Sequence, residues 1–144
     1  MDRPIDENTP LYGSLGIDIY LKLIRQKYSY ININELLQYA GMEPYQVKDE
    51  GHYFSQYQIN RFYEKVVELT GNNKIALEAG RFSASPEASS ALWRSVLGLI
   101  SPVRYYELLG KYANKITKSS KYEAKRLSPT KVEVTVTPYP GVRE

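Results

Sequence analysis

The sequence predicts a mainly helical α+β domain: about five helices followed by a C-terminal antiparallel β-hairpin. Three observations carry this. Apolar residues recur at the 3.6-residue period in stretch after stretch up to Ile116. Polar caps and glycine or proline stops fall where those periods begin and end. Finally, the period changes to two in KVEVTVTPY, after a Ser128-Pro129-Thr130 turn.

In chain order, residues 1–12, punctuated by Pro4 and Pro10, read as a flexible lead to a single domain over residues 13–138. From Ser14, Ile17, Tyr20, Leu21 and Ile24 share one helical face. Asp18 comes early and Lys22, Arg25 and Lys27 late, as the helix dipole favours. Asn34 to Ala40 reads as a short helix closed by Gly41, and residues 43–54, with Pro44 and Gly51, as a loop. The clearest signals follow. Ser55 and Gln58 make a Ser-x-x-Gln capping box, with Phe54 placed to staple onto Ile59. Ile59, Phe62, Tyr63, Val66 and Val67 form one stripe, and Gly71 ends the helix. Asn72 or Asn73 can cap a second helix with Ile75, Ala76, Ala79 and Phe82 on one face, and Gly80 inside it suggests close packing.

Ser85-Pro86 and Ser101-Pro102 each supply a polar cap and a first-turn proline. They predict a helix with Leu92, Trp93, Val96, Leu97 and Ile100 apolar, and another with Val103, Tyr106, Leu109, Ala113 and Ile116 as its stripe. In the hairpin, Val132, Val134 and Val136 face one way and Glu133, Thr135 and Thr137 the other, which gives one wet face. The expected core comprises Ile59, Phe62, Val66, Phe82, Trp93, Val96, Leu97, Leu109 and Val134. A lone ribbon is marginal in water, so this one must lie on the helices, pair with another sheet, or await further strands. PYPGVRE, with residues 139–144, reads as a linker or end point, as in a piece of a longer protein.

Composition bounds the function. The chain has 144 residues, one domain's worth, and no apolar run approaches a membrane span. The acidic, polar start is unlike a signal peptide, so a cytoplasmic location is expected. With no cysteine and one histidine, disulfides, thiolate sites and histidine clusters are excluded. Beneath the net charge of +3 lies an asymmetry: residues 1–85 carry 9 basic and 11 acidic side chains, residues 86–144 carry 10 and 5. Lys111, Lys115, Lys118, Lys121, Lys125, Arg126 and Lys131 could attract an anionic partner, though such residues more often form a solvated face.

Catalysis finds little support. Glu64 and Glu68 lie one turn apart but opposite the apolar stripe, as solvated partners of Lys65 and Arg61. No nucleophile elbow, phosphate loop or dinucleotide fingerprint occurs. The chain is therefore expected not to be an enzyme. If a small-molecule pocket exists, Arg81, Phe82, Trp93, Tyr105 and Tyr106 are its expected lining, aromatic walls with a fixed polar group; Arg81 and Arg94 could together hold an anion. The same aromatics can equally be core.

The series YAGM (39–42), HYFSQYQINRF (52–62), ELTGN (68–72), ALEAGRFSAS (76–85), SP (101–102) and KVEV with PYPGVRE resembles the N-terminal sensory domain of bacterial sensor histidine kinases and related signalling proteins. Through it the chain distantly resembles the ligand-binding fold of haem-based nitric-oxide sensors and vinyl-reductase-like domains. The resemblance spans nearly the whole chain. It implies a cytoplasmic input module for a two-component system, a helical, homodimeric domain that binds a small molecule and passes the signal to a domain downstream. It also implies further strands beyond the proline-glycine segment. The resemblance raises haem, but the single imidazole, His52, sits in a loop beside a helix cap and reads as a loop anchor; the cofactor stays unassigned. An alternative is a DNA-binding module of helix-turn-helix type, with INELLQYAGMEPYQV as its first part and the basic C-terminal half as its charge; Pro44 inside the second helix argues against it.

Overall fold

A computed structural model describes residues 5–88, 98–113 and 116–139. It is a mainly helical α+β structure with six helices and two antiparallel strand pairs among the described residues. The elements are β1 (Pro10–Gly13), α1 (Ser14–Lys27), α2 (Ile33–Ala40), α3 (Pro44–Lys48), β2 (Tyr53–Ser55), α4 (Gln56–Thr70), α5 (Ile75–Ser83), α6 (Pro102–Tyr112), β3 (Ser120–Ser128) and β4 (Lys131–Pro138).

The predicted boundaries of α4 hold in detail. Ser55 Oγ accepts the Gln58 N–H at 3.2 Å, and the Ser55 N–H donates to Gln58 Oε1 at 3.1 Å. Gly71 closes the helix with φ of 63°, a left-handed turn that glycine adopts without a Cβ clash. Gly41 does the same for α2 with φ of 68°, and the Met42 N–H reaches back to the Leu37 carbonyl at 2.9 Å. α4 also caps α2 from the side: Gln58 Nε2 donates to the Gly41 carbonyl at 2.7 Å and Arg61 Nε to that of Tyr39 at 2.8 Å. Carbonyls that a helix end leaves unpaired are thereby satisfied. The Arg61 guanidinium also lies over the Tyr39 ring at 4.2 Å and the Tyr57 ring at 5.6 Å, so its partners are tyrosines.

The core is built by α1, α2, α4 and α5 with Phe54 of β2 and the loop residues Ile31 and Met42. Leu23, Ile24, Leu36, Leu37, Phe54, Phe62, Val66 and Ile75 are fully enclosed, and Ile59 packs at its margin. Phe82 belongs to it too. α6 packs instead on the hairpin. Ser101 Oγ accepts the Arg104 N–H at 3.2 Å, as its cap position predicts.

Several expectations are corrected. Residues 10–12 do not belong to a flexible lead: they form β1, which pairs with β2 (Tyr12 with Phe54, Gly13 with Tyr53). A one-residue irregularity between Pro10 and Tyr12 hides the strand from period-two reading. The loop over 43–54 contains α3, started by Pro44, with Gln46 Oε1 accepting the Glu43 N–H at 2.8 Å. α5 starts after Lys74; Asn72 Oδ1 accepts the Lys74 N–H at 2.9 Å in a turn before the helix. A Cβ at Gly80 would meet nothing within 4 Å, so close packing is not its reason. The tight glycine is Gly110, where a Cβ would stand 2.9 Å from that of Ala124.

Val134 is not buried but 39% exposed. In the hairpin, Tyr122 pairs with Val136, Ala124 with Val134 and Arg126 with Val132, all on the face that α6 touches. α6 approaches this face closely at Gly110, opposite Ala124, yet Val136 stays 50% exposed. The expected core residues Trp93, Val96 and Leu97, the helix they belong to, and the Leu109 side chain lie outside the described residues.

Candidate functional site

β1 is the joint of the molecule. One edge pairs with β2, and the other accepts the chain leading into the hairpin. The Gly13 N–H donates to the Ile116 carbonyl at 2.8 Å, the Lys118 N–H to the Leu11 carbonyl at 2.6 Å, and Tyr12 bridges Thr117. Lys118 Nζ adds a cation–π contact, 3.9 Å from the Tyr53 ring centre.

Beside this joint lies a cleft of about 320 Å³, lined by Tyr12, Gly13, Gly16, Ile17, Tyr20, Ile59, Asn60, Phe62, Tyr63, Ile116 and Thr117. Each wall follows from local sequence. Gly16, Ile17 and Tyr20 sit on one face of α1 at spacings of one and four, and Ile59, Phe62 and Tyr63 on one face of α4 at three and four. These are the apolar stripes that the periodicity identifies. Gly16 contributes no side chain to this lining, and a Cβ there would meet nothing within 4 Å.

Tyr20 stands edge-on to Phe62, ring centres 5.8 Å apart, and forms the floor. Burial pushes its phenol pKa up, as does the neighbouring Tyr63, so Tyr20 is a neutral hydrogen-bonding group at physiological pH. The Tyr12 hydroxyl, its pKa also raised by burial, donates to Gln56 Oε1. Gln56 Nε2 in turn donates to Asn60 Oδ1 at 2.7 Å. No charged side chain among the described residues lines the cleft.

The residues proposed from sequence lie elsewhere. Phe82 is core, Arg81 is exposed on α5, and Tyr105 and Tyr106 stack edge-on at 5.5 Å on α6. None of these four lines the cleft. Trp93 and Arg94 lie outside the described residues. The His52 ring packs edge-on to Phe54, centres 4.6 Å apart, and its carbonyl accepts the Ser14 N–H at 3.0 Å, the contacts of a loop anchor.

A second, polar hollow of about 150 Å³ opens between α1, α2 and α3, lined by residues that include Asp18, Arg25, Asn34 and Lys48. On the exposed face of α4, Lys65 Nζ meets Glu68 Oε1 at 2.7 Å. Among the described residues no group of three or more His, Asp or Glu could hold a metal ion, and no helix is long and apolar enough to cross a membrane.

The site was missed in the sequence because its parts read as core. The available signal was Gly16, in the first turn of α1 and four residues before Tyr20, where the missing side chain leaves space. Compared with models of known families, with curated proteins and with solved structures, the chain finds no match.

Proposed function

We propose that this chain is a cytoplasmic, non-catalytic input domain of a bacterial signal-transduction protein of the histidine-kinase type, and that the cleft beside β1 is where it binds a small molecule. The observation that carries this is the position of the cleft. Its walls come from α1 and α4 on one side and from Ile116 and Thr117, just before the hairpin, on the other. A molecule seated there touches both parts of the fold at their joint. Sensing requires a ligand to favour one arrangement over another, and a site spanning a joint is where such a preference can arise. The resemblance to kinase input domains supports the same reading and adds a homodimer. A strictly monomeric mass by light scattering at high concentration counts against that dimer.

The DNA-binding alternative draws less support. α3, in the place of a recognition helix, has five residues, about 7.5 Å of helix at 1.5 Å per residue, too short to lie along a major groove.

The test is a thermal-shift screen of small apolar compounds, followed by amide hydrogen exchange with any compound that raises Tm. The reading expects slowed exchange in β1 and at 116–118, together with altered exchange in β3 and β4. A ligand that leaves β3 and β4 unchanged removes the signalling half of the proposal, and no binding at all removes both halves.

A further inference from the structure

Three polar residues of the cleft lining, Asn60, Tyr12 and Thr117, belong to one hydrogen-bonded line that crosses the joint. From it we infer that Tyr12 is a latch, through which the polar rim of the cleft holds the C-terminal hairpin in place. The inference rests on the reading of the cleft as the input site and names how that input reaches β3 and β4.

The line starts on α4. Asn60 lines the cleft, and its Oδ1 accepts from Gln56 Nε2 at 2.7 Å. A glutamine amide has its donors on the nitrogen and its acceptor on the oxygen, so the bond to Asn60 fixes which way Gln56 faces. The Oε1 left over accepts the Tyr12 hydroxyl. A residue of the cleft thus sets an orientation that is presented to β1.

Tyr12 carries it across. Its backbone pairs with Phe54 of β2 on one edge and bridges Thr117 on the other. Thr117 Oγ1 lies 2.7 Å from Ser119 Oγ and accepts the Ser119 N–H at 3.1 Å, one residue before β3 begins. Burial pushes the Tyr12 phenol pKa up, and a hydrogen bond from Ser119 pulls against it, so the entry to β3 reaches the hydroxyl that α4 holds. Ser119 is buried, which makes a bond lost there costly.

What the line holds is a two-stranded ribbon, marginal by itself. The backbone bonds that fix its lead to β1 run from Gly13 N–H to the Ile116 carbonyl and from Lys118 N–H to that of Leu11. Leu11 and Gly13 are the two neighbours of Tyr12, so the place of its side chain governs both bonds. A molecule that takes the Asn60 amide or the Tyr12 hydroxyl for itself breaks the line and loosens the hairpin.

The test needs no ligand. Amide hydrogen exchange of the full chain is followed in wild type, Asn60→Ala, Tyr12→Phe and the double variant. Lys118, β3 and β4 report the joint, and the amides of Ile24, Leu37 and Val66 report the core. Tyr12→Phe keeps the ring and removes the hydroxyl. It should speed exchange at Lys118 and in the hairpin about five-fold, the factor that one net hydrogen bond of about 1 kcal/mol supplies, and leave the core amides at the wild-type rate. Asn60→Ala should speed the same joint and hairpin amides by at least about two-fold. The double variant should match Tyr12→Phe alone, because both substitutions break one line. Factors that multiply in the double variant overturn the latch, as do hairpin amides that keep the wild-type rate in Tyr12→Phe. Core amides that speed up by the same factor also overturn it, since they report a general loss of stability. These outcomes concern the hydrogen-bonded line alone: the latch can fail while the cleft still binds in the thermal-shift screen, and an empty screen removes the ligand but not the line.

Discussion

The helical part of the chain and its C-terminal part solve the same problem to different degrees. β1, β2 and α1 to α5 surround a core in which Leu23, Ile24, Leu36 and Val66 have no exposed surface. α6 and the hairpin bury Val103 and Ala113, yet leave Val134, Val136 and Leu127 open to solvent. The reason is geometric. Four helices can enclose a volume, whereas one helix on a two-stranded ribbon covers a strip, and such a ribbon is marginal by itself. The C-terminal part therefore borrows order from β1 through the bonds at Leu11 and Gly13. The cleft beside β1 lies at that junction, between the enclosed core and the more open C-terminal part.

The largest expected effect tests the contrast directly. Phe62→Ala removes a ring that is 2% exposed and braced by Tyr20, and should cost about 3–5 kcal/mol in urea denaturation. Val136→Ala, at a half-exposed site, should cost less than about 1 kcal/mol. Equal losses would mean that the two parts are equally well packed.

Two helical glycines sharpen the comparison with opposite signs. In Gly110→Ala the new methyl meets the Ala124 Cβ at 2.9 Å and the Ala124 backbone nitrogen at 3.2 Å, neither of which can swing away. Prying α6 off the hairpin should cost about 1–3 kcal/mol. Gly16→Ala enters open space in the cleft and should stabilise by up to about 1 kcal/mol through helix propensity. A stabilising Gly110→Ala would refute the close approach of α6 to β3. Smaller again is the cap. Ser55→Ala should cost about 1 kcal/mol, read in the same assay, by freeing the Gln58 N–H.

These contrasts also mark what could be read from residues alone. The limits of α4, the glycine stops at Gly41 and Gly71 and the Ser101 cap rest on contacts within a few residues, and local sequence encodes them. β1 was hidden because its partners, Phe54 and Thr117, lie over 40 and over 100 residues away. Likewise, alternation showed which way Val134 faces but not whether anything covers it. The cleft was illegible for the same reason: Tyr20 and Phe62 were correctly placed on apolar stripes, and only tertiary packing shows that the stripes stop short of each other.

The smallest effect concerns the clasp between α1 and α5 in the well-packed part. Glu78 accepts from Lys27 Nζ at 2.7 Å, from the Tyr28 hydroxyl at 3.0 Å and from Asn72 Nδ2 at 2.9 Å. Lys27 above all holds its carboxyl below the usual glutamate range; burial pushes the other way, and Tyr28 and Asn72 help Lys27 to outweigh it. A carboxyl whose pKa is lower folded than unfolded adds stability above the unfolded value, about 4.3, and that contribution drains away as pH falls through the folded value. The Glu78 side chain is 25% exposed and that of Lys27 53%, so solvent screens the pair and the whole contribution should stay below about 1 kcal/mol. Denaturation of wild type and Glu78→Gln at pH 7 and again at pH 3 isolates it from the other carboxylates. The variant should be weaker at pH 7 and nearly equal to wild type at pH 3. A gap that persists unchanged at pH 3 would mean that Glu78 acts through packing and neutral hydrogen bonds instead of through its charge.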